Sequence, residues 1–261
     1  FRKVAKQYIE NDLWVIPVNI SKRPALKDWT QFQTRPMNSG EIDRYFRNCH
    51  GIALLCGGPT KIELLDWDLK YDLSGDFYER VCKDIPFELK KKMFVQGTKN
   101  SGFHWIYKIP SSSAHPNQKL ANRYTTPHER HKVYIEKYKD PKTRDKALKT
   151  ASNDTSRVLA ETRGGTSDRC KGYGLISPTE GYKVVYKPKG GIQEITIEEH
   201  DFLLSTIRGF NEVLELDDQR KGRYDDTNWD IDPFEDYNER GDALELLYEC
   251  GWEEVGSFGN N

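Results

Sequence analysis

The stretch KIELLDWDLK, residues 61–70, places two aspartates one residue apart at the end of an apolar run. If residues 62–65 form a buried strand, side-chain alternation puts Asp66 and Asp68 on one face and Trp67 on the other. Two carboxylates on one face repel each other unless solvent or a cation relieves them, and hard divalent cations prefer oxygen ligands. The stretch therefore indicates either a metal site or a solvated strand end.

Hairpin signals lie on both sides of the aspartates. The apolar run 52–56 is joined to residues 61–68 by the turn sequence GGPT, which predicts one hairpin. Residues 93–109 have two strand-like arms around a turn that contains Gly, Asn and Ser, which predicts a second hairpin. Neighbouring strands in this part of the chain are therefore expected to be antiparallel.

The remaining elements are predicted from hydrophobic periodicity and turn residues. VYIEKY, residues 133–138, is the only strand-like run between residues 111 and 157. The other predicted elements are a helix over 1–12, a strand over 13–19, a helix with Ser39 as N-cap, a helix over 76–92 interrupted at Pro86, a strand in RVLAETRGG (157–165), short strands within 168–186 and a helix over 197–213.

The composition is that of a globular protein with a highly charged surface. Of 261 residues, 36% are hydrophobic and 31% are charged, yet 11 Phe, 14 Tyr and 6 Trp argue against a disordered chain. The five cysteines are scattered without CxxC spacing, so neither a disulfide framework nor a zinc knuckle is expected, and an intracellular, cytoplasmic setting fits best. No apolar run approaches the roughly 20 residues of a membrane span, so no membrane partner is expected.

Changes in charge along the chain divide it into regions. In residues 111–157, Lys and Arg outnumber Asp and Glu about two to one, whereas residues 214–240 are acidic and poor in aliphatic residues, as a linker would be. Helical spacing returns at 241–261. We therefore expect one domain over 1–213 with a basic insertion at 111–157, an acidic linker, and the start of a C-terminal helical region. The first residue is not Met, which suggests a piece of a longer protein.

Two further residues are candidates for chemistry. Glu161 alternates with Leu159 and Arg163 on one face of its predicted strand, where it either completes a set of metal-binding carboxylates or pairs with Arg163. His104, in NSGFHWIYK, is either a half-buried histidine with a satisfied hydrogen bond or a phosphate ligand. Each residue alone leaves both interpretations open.

The order of these motifs is more informative than any one of them. Two aspartates follow an apolar run, SxxH lies in a hairpin, and a strand carries Glu before GG. This order resembles the archaeo-eukaryotic primase superfamily, and within it the bifunctional primase–polymerase domain of phages, plasmids and other mobile elements. The resemblance extends from the N-terminal helix to about residue 210, and includes the segments WVIPVNISKRPALKDW (14–29), GIALLCGG (51–58) and ISPTEGYKVVY (176–186).

The resemblance implies a fold and an activity. The implied fold is two-layer α+β, a primase catalytic core with an RRM-like antiparallel sheet and an active site in the cleft between an N-terminal α/β unit and the RRM-like unit. The implied activity is template-dependent nucleotidyl transfer by a DNA primase, a DNA polymerase or both. The implied partners are a single-stranded DNA template and primer, NTPs or dNTPs, and a helicase or helical accessory domain further along the chain.

The resemblance also implies roles for individual residues. Asp66, Asp68 and Glu161 are expected to bind two ions, Mg²⁺ or Mn²⁺, and His104 to contact the triphosphate of the incoming nucleotide. No zinc is expected, because the zinc-binding insertion of several relatives has no counterpart here. The further expected nucleotide contacts are Lys22, Lys99, Ser101 and Arg163.

Alternatives remain for the insertion and for the whole protein. The insertion either follows a template strand through phosphate contacts and base stacking or is a solvated surface excursion. A glycosyltransferase also uses DxD with a divalent ion, but it gives no reason for the SxxH hairpin or the later Glu strand. An inactive nucleic-acid-binding module gives no reason for intact acidic and His motifs. The insertion residues in question are Lys119, Arg123, Tyr124, Arg130, Lys132, Tyr134, Lys137 and Tyr138.

Overall fold

The computed structural model describes residues 1–213. The predicted acidic linker (214–240) and C-terminal helical region (241–261) lie outside the described residues. The helices are α1 (Arg2–Glu10), α2 (Ser39–Tyr45), α3 (Phe77–Asp84), α4 (Phe87–Lys90), α5 (Pro127–Lys137), α6 (Arg144–Ser152) and α7 (Ile197–Arg208). The strands are β1 (Val15–Val18), β2 (Gly51–Gly57), β3 (Ile62–Trp67), β4 (Phe94–Gly97), β5 (Phe103–Lys108), β6 (Gln118–Tyr124), β7 (Ser156–Arg163), β8 (Cys170–Ile176) and β9 (Lys183–Tyr186).

All pairings between these strands are antiparallel. β3 is central, with β5 on one side and β7 on the other, and β6 pairs with the outer edge of β7. The sheet continues from β5 through β4 to β9, while β2 pairs with both β1 and β8. Helices combined with an antiparallel sheet confirm the predicted α+β class.

The two predicted hairpins differ in extent. β4 and β5 pair along the whole of β4, as predicted. β2 and β3 meet at one residue pair, Gly57 with Ile62, where Gly57 and Gly58 have φ of 87° and 60°. These left-handed angles cost glycine little. Beyond that pair the strands diverge, because β3 pairs with β5 and β7 whereas β2 pairs with β1 and β8. The first hairpin is therefore confirmed only at its turn.

The side chains of β3 alternate between two hydrophobic cores. Leu64 lies in a first core with Leu54 of β2 and Ile42 of α2. Leu65 and Trp67 lie in a second core, which also contains residues of α3 and α7. Apolar side chains thus pack against both faces of β3.

The insertion is more regular than its sequence predicts. β6 was not predicted, and the predicted strand VYIEKY lies mostly within helix α5. A capping box explains the helix: the Thr126 side chain accepts from the backbone N–H of Glu129, and the Glu129 carboxylate accepts from the N–H of Thr126. Pro127 occupies the first turn, where its missing N–H costs nothing. α5 then packs against α6.

Two other helix boundaries differ from prediction. The N-cap of α2 is Asn38 rather than Ser39, because Asn38 and Glu41 form a reciprocal capping box with two hydrogen bonds of 2.9 Å. α7 ends at Arg208, before Gly209, rather than at residue 213. None of the helices within residues 1–213 has the length and apolar character needed to cross a bilayer.

Candidate active site

The register of the sheet places Asp66 between two other predicted site residues. Asp66 lies opposite His104 of β5 on one side and opposite Glu161 of β7 on the other. Directly opposed residues on antiparallel strands project from the same face of the sheet. Asp68 follows the end of β3, and its backbone N–H donates to the carbonyl of Leu159 at 2.9 Å. Three strands thus bring together side chains that are distant in sequence.

The three predicted carboxylates converge. One oxygen each from Asp66, Asp68 and Glu161 lies within 4.8 Å of the other two. An all-oxygen donor set of this kind suits Mg²⁺ or Mn²⁺ better than softer metals. Trp67 is fully buried on the opposite face of β3, with its ring 5.3 Å from that of Trp105, as strand alternation predicts. The residues present therefore fit a divalent ion.

Glu161 both joins the other carboxylates and pairs with Arg163, the two roles that the sequence left open. It belongs to the carboxylate cluster, and the Arg163 guanidinium also donates a short hydrogen bond to it. Leu159 does not share their face, contrary to expectation, but is buried in the second core. The register between β6 and β7 shifts beside Leu159, so the simple alternation of β7 is broken there.

The pKa values of Asp66 and Glu161 are shifted in opposite directions. Burial raises the pKa of Asp66, but a hydrogen bond from His104 and the charge of Arg163 outweigh burial, so that the pKa is lowered. The pKa of Glu161 is raised, first by burial and then by the negative charges of Asp66 and Asp68, against the opposing effect of Arg163. Because burial and repulsion disfavour the ionised form of Glu161, a cation placed among the carboxylates would be stabilised by it and would favour that form.

Gln96 determines which nitrogen of His104 carries the proton. The Gln96 amide is fully buried, and its orientation follows from two backbone contacts: Nε2 donates to the Leu175 carbonyl at 2.7 Å, and Oε1 accepts from the Ser177 N–H at 3.2 Å. Nε2 also lies 2.8 Å from His104 Nδ1, which must therefore accept. A neutral His104 ring then carries its proton on Nε2, 3.4 Å from Asp66 Oδ1. His104 thus presents an N–H donor beside the carboxylates.

A cavity of about 340 Å³ opens next to this cluster. Asp66, Asp68 and His104 form one part of its wall. Four basic side chains also line the cavity. The Tyr182 ring, another lining residue, lies 5.7 Å from the His104 ring. Carboxylates beside several cations suit a metal-bound polyphosphate, whose charge both groups together would neutralise. The cationic lining residues are Lys22, Lys70, Arg163 and Lys171.

Of the four further nucleotide contacts expected from the sequence, two line the cavity and two do not. Lys22 and Arg163 line the cavity. Lys99 and Ser101 do not line it, although Thr98 and Asn100 from the same turn do. The Lys99 side chain lies against Gly181, and Ser101 is exposed with a φ of 61°.

Several lining residues were not anticipated from the sequence. Lys70 stands two residues after Asp68, and its Nζ lies 3.1 Å from Asp68 Oδ1, so a basic residue directly after the DxD motif was the available signal. Tyr182 stands in the ISPTEGYKVVY segment that carried part of the family resemblance. Asn117 and Lys171 had no local signal, because only strand pairing brings them to the cavity.

A second recess also reaches the carboxylates, at Asp68 and Glu161. It is an open groove of about 700 Å³ with a wall formed by Asp68, Glu161, Arg157 and residues of α5. Of the insertion residues considered for template contacts, Lys132 lines this groove. Arg123 is buried instead and donates to Glu129 at 2.7 Å, so that it is engaged within the protein.

Comparison with protein families identifies a match over most of the chain. A family model described as "Bifunctional DNA primase/polymerase, N-terminal" matches residues 5–188. A search among curated proteins found no similar sequence. The matched range includes Asp66, Asp68, His104 and Glu161.

Proposed function

This chain belongs to the bifunctional DNA primase/polymerase family, and we propose that it is a template-dependent nucleotidyltransferase that starts or extends a chain on single-stranded DNA. Family membership implies DNA primase/polymerase activity, with DNA and nucleotides as substrates. The observation that carries the proposal for this chain is the convergence of Asp66, Asp68 and Glu161 beside His104 and a basic cavity.

Asp66, Asp68 and Glu161 would hold two divalent ions, Mg²⁺ or Mn²⁺. When bound, such ions activate an attacking hydroxyl and neutralise the triphosphate and the leaving pyrophosphate. The contribution of the protein is then to position the reactants and to balance charge. The all-oxygen donor set and the raised pKa of Glu161 support this assignment.

The basic cavity is proposed to receive the incoming nucleotide. His104 Nε2–H donates to a phosphate oxygen, while Lys22, Arg163 and Lys171 neutralise the remaining phosphate charge. The groove beside α5 is proposed to receive the attacking hydroxyl of the primer or first nucleotide, since Asp68 and Glu161 line it. In-line displacement requires the attacking and leaving groups to lie on opposite sides of the phosphorus.

The finer fold assignment is part of the same proposal. Four strands lie side by side in the order β7, β3, β5, β4. In a βαββαβ unit these would be the fourth, first, third and second strands, which is the order of an RRM-like sheet and supports that assignment. We propose that residues 1–213 are the catalytic domain and that residues 111–157 are an insertion into it.

The direct test is a nucleotide incorporation assay on single-stranded DNA. Primed and unprimed templates are offered with NTPs or dNTPs, each with Mg²⁺, Mn²⁺ or a chelator. We expect template-dependent products with at least one metal and none with the chelator. Products independent of template sequence, or no products under any condition, would contradict the proposal.

Replacement of His104 tests the assignment of the nucleotide cavity. A hydrogen bond to a charged group contributes about 1.5–3 kcal/mol, so His104→Ala should raise KM for the nucleotide about 10- to 100-fold, with a weaker effect on DNA affinity. Gln96→Leu should raise KM less, because it releases the ring without removing it. The exposed His50→Ala provides the matched control. An unchanged KM in His104→Ala would exclude a triphosphate contact.

A further inference from the structure

A second cluster of potential metal ligands lies on the other face of β3. Glu63 is fully buried beneath His115, which precedes β6, and His200 of α7. One nitrogen from each histidine and one oxygen of Glu63 lie within 4.8 Å of one another. Glu63 is directed into the second core, whereas Asp66 faces the candidate active site. The two clusters are therefore separate.

The buried carboxylate of Glu63 requires a counter-charge. An ionised carboxylate without one is strongly destabilised in the protein interior. Within residues 1–213, the ion-pair contacts of Glu63 are with His115 and His200 only, each at 2.9 Å, and neither Lys nor Arg approaches it. Tyr107 donates a hydrogen bond of 2.6 Å to Oε1 but supplies no charge. The cation is therefore either a proton on a histidine or a metal ion.

The geometry at His115 favours the metal. Its Nδ1 lies 2.7 Å from the Pro116 carbonyl, which can only accept, so Nδ1 carries a proton and a neutral ring has its lone pair on Nε2. Nε2 lies 2.9 Å from Glu63 Oε2, yet these two buried atoms form no hydrogen bond because their directions are misaligned. A proton shared between His115 Nε2 and Glu63 Oε2 requires the lone pairs of these two atoms to point at each other. A metal ion bound by both atoms instead lies to one side of the line between them.

Other contacts around the cluster resemble the surroundings of metal ligands. Histidine ligands commonly donate the second ring N–H to a backbone carbonyl, as His115 does to Pro116, and ligating carboxylates commonly accept an outer hydrogen bond, as Glu63 does from Tyr107. His200 Nε2 lies 2.9 Å from Glu63 Oε1, while Glu63 Oε2 and His115 Nε2 are buried atoms without a hydrogen-bond partner within the described residues. Buried polar atoms without partners are rare in folded proteins, and an ion is one of their ordinary explanations.

We propose that Glu63, His115 and His200 form a structural site for a borderline transition metal, most simply Zn²⁺. Two imidazoles and one carboxylate suit Zn²⁺, with a fourth position for water, whereas Mg²⁺ and Mn²⁺ suit the all-oxygen cluster across the sheet. The ion ties α7 and the segment before β6 to β3. This proposed site departs from the expectation that no zinc is bound, which rested on the lack of a Cys and His cluster with ligand spacing in the sequence. His200 is 137 residues from Glu63, so local spacing gave no signal.

The experiment measures zinc binding by the complete chain. The protein is stripped with a chelator and titrated with Zn²⁺, and metal content, unfolding temperature and the visible spectrum of the Co²⁺ form are recorded. We expect a zinc ion that raises the unfolding temperature and is retained by Asp66→Asn/Asp68→Asn. His115→Gln and His200→Gln should bind it about a hundredfold or more weakly, since loss of an outer partner alone costs 10- to 100-fold. The exposed His131→Gln is the matched control.

His115 is partly exposed, so its replacement leaves the core intact, and the unfolding temperature of the stripped variant checks this directly. Equal zinc affinity in His115→Gln and the wild type would overturn the proposal. So would a wild-type chain that retains no zinc at one equivalent, which would leave a carboxylate–imidazolium pair as the explanation. Neither result depends on nucleotide incorporation, so the zinc site is tested independently of the proposed function.

Discussion

Asp66→Asn/Asp68→Asn is expected to reduce nucleotide incorporation by about a thousandfold or more, because metal charge stabilisation supplies several kcal/mol and each 1.36 kcal/mol is a factor of ten in rate. Asparagine preserves the shape of both side chains but removes the two negative charges that would hold the ions. The measurement is primer extension under single-turnover conditions, over a range of Mg²⁺ and Mn²⁺ concentrations.

The exposed Asp84→Asn, at the end of α3, makes the same chemical change away from the cluster and serves as control. It should retain wild-type activity. Thermal unfolding of the double variant verifies that its fold is intact. Substantial primer extension by a well-folded double variant would remove the aspartates from the metal site and, with them, the proposed mechanism.

Glu161→Gln is expected to lower incorporation by about a hundredfold, equivalent to about 3 kcal/mol, through weaker metal binding. Its effect on stability should be different. Burial and repulsion from Asp66 and Asp68 raise the pKa of Glu161, so ionised Glu161 is disfavoured by its surroundings. Removing that charge in metal-free protein should leave the unfolding temperature unchanged or raise it.

The combination of lost activity with undiminished stability distinguishes a metal ligand from a structural residue. If Glu161 acted only through its ion pair with Arg163, the Gln variant would lose stability and retain most of its activity. Glu79→Gln, an exposed substitution in α3, controls for the change in net charge. Part of the lost activity should return at higher Mn²⁺ concentration if the defect lies in metal affinity.

Local sequence patterns predicted the elements that depend on neighbouring residues. Apolar runs and turn residues located β3 and the β4–β5 hairpin, and strict alternation placed Asp66 and Trp67 on opposite faces of β3. The order of DxD, SxxH and the Glu strand was enough to identify the family. Local patterns were less reliable in the insertion, where the capping box of α5 outweighed the strand-like composition of VYIEKY.

Which distant residues meet depends on how the strands and helices pack together. Antiparallel pairing set Glu161 and His104 on either side of Asp66, a register shift turned Leu159 into the core, and packing of α7 brought His200 to Glu63. Alternation and periodicity are local properties of the chain. Strand register, bulges and helix docking are instead chosen by the whole set of buried contacts, which no single segment contains.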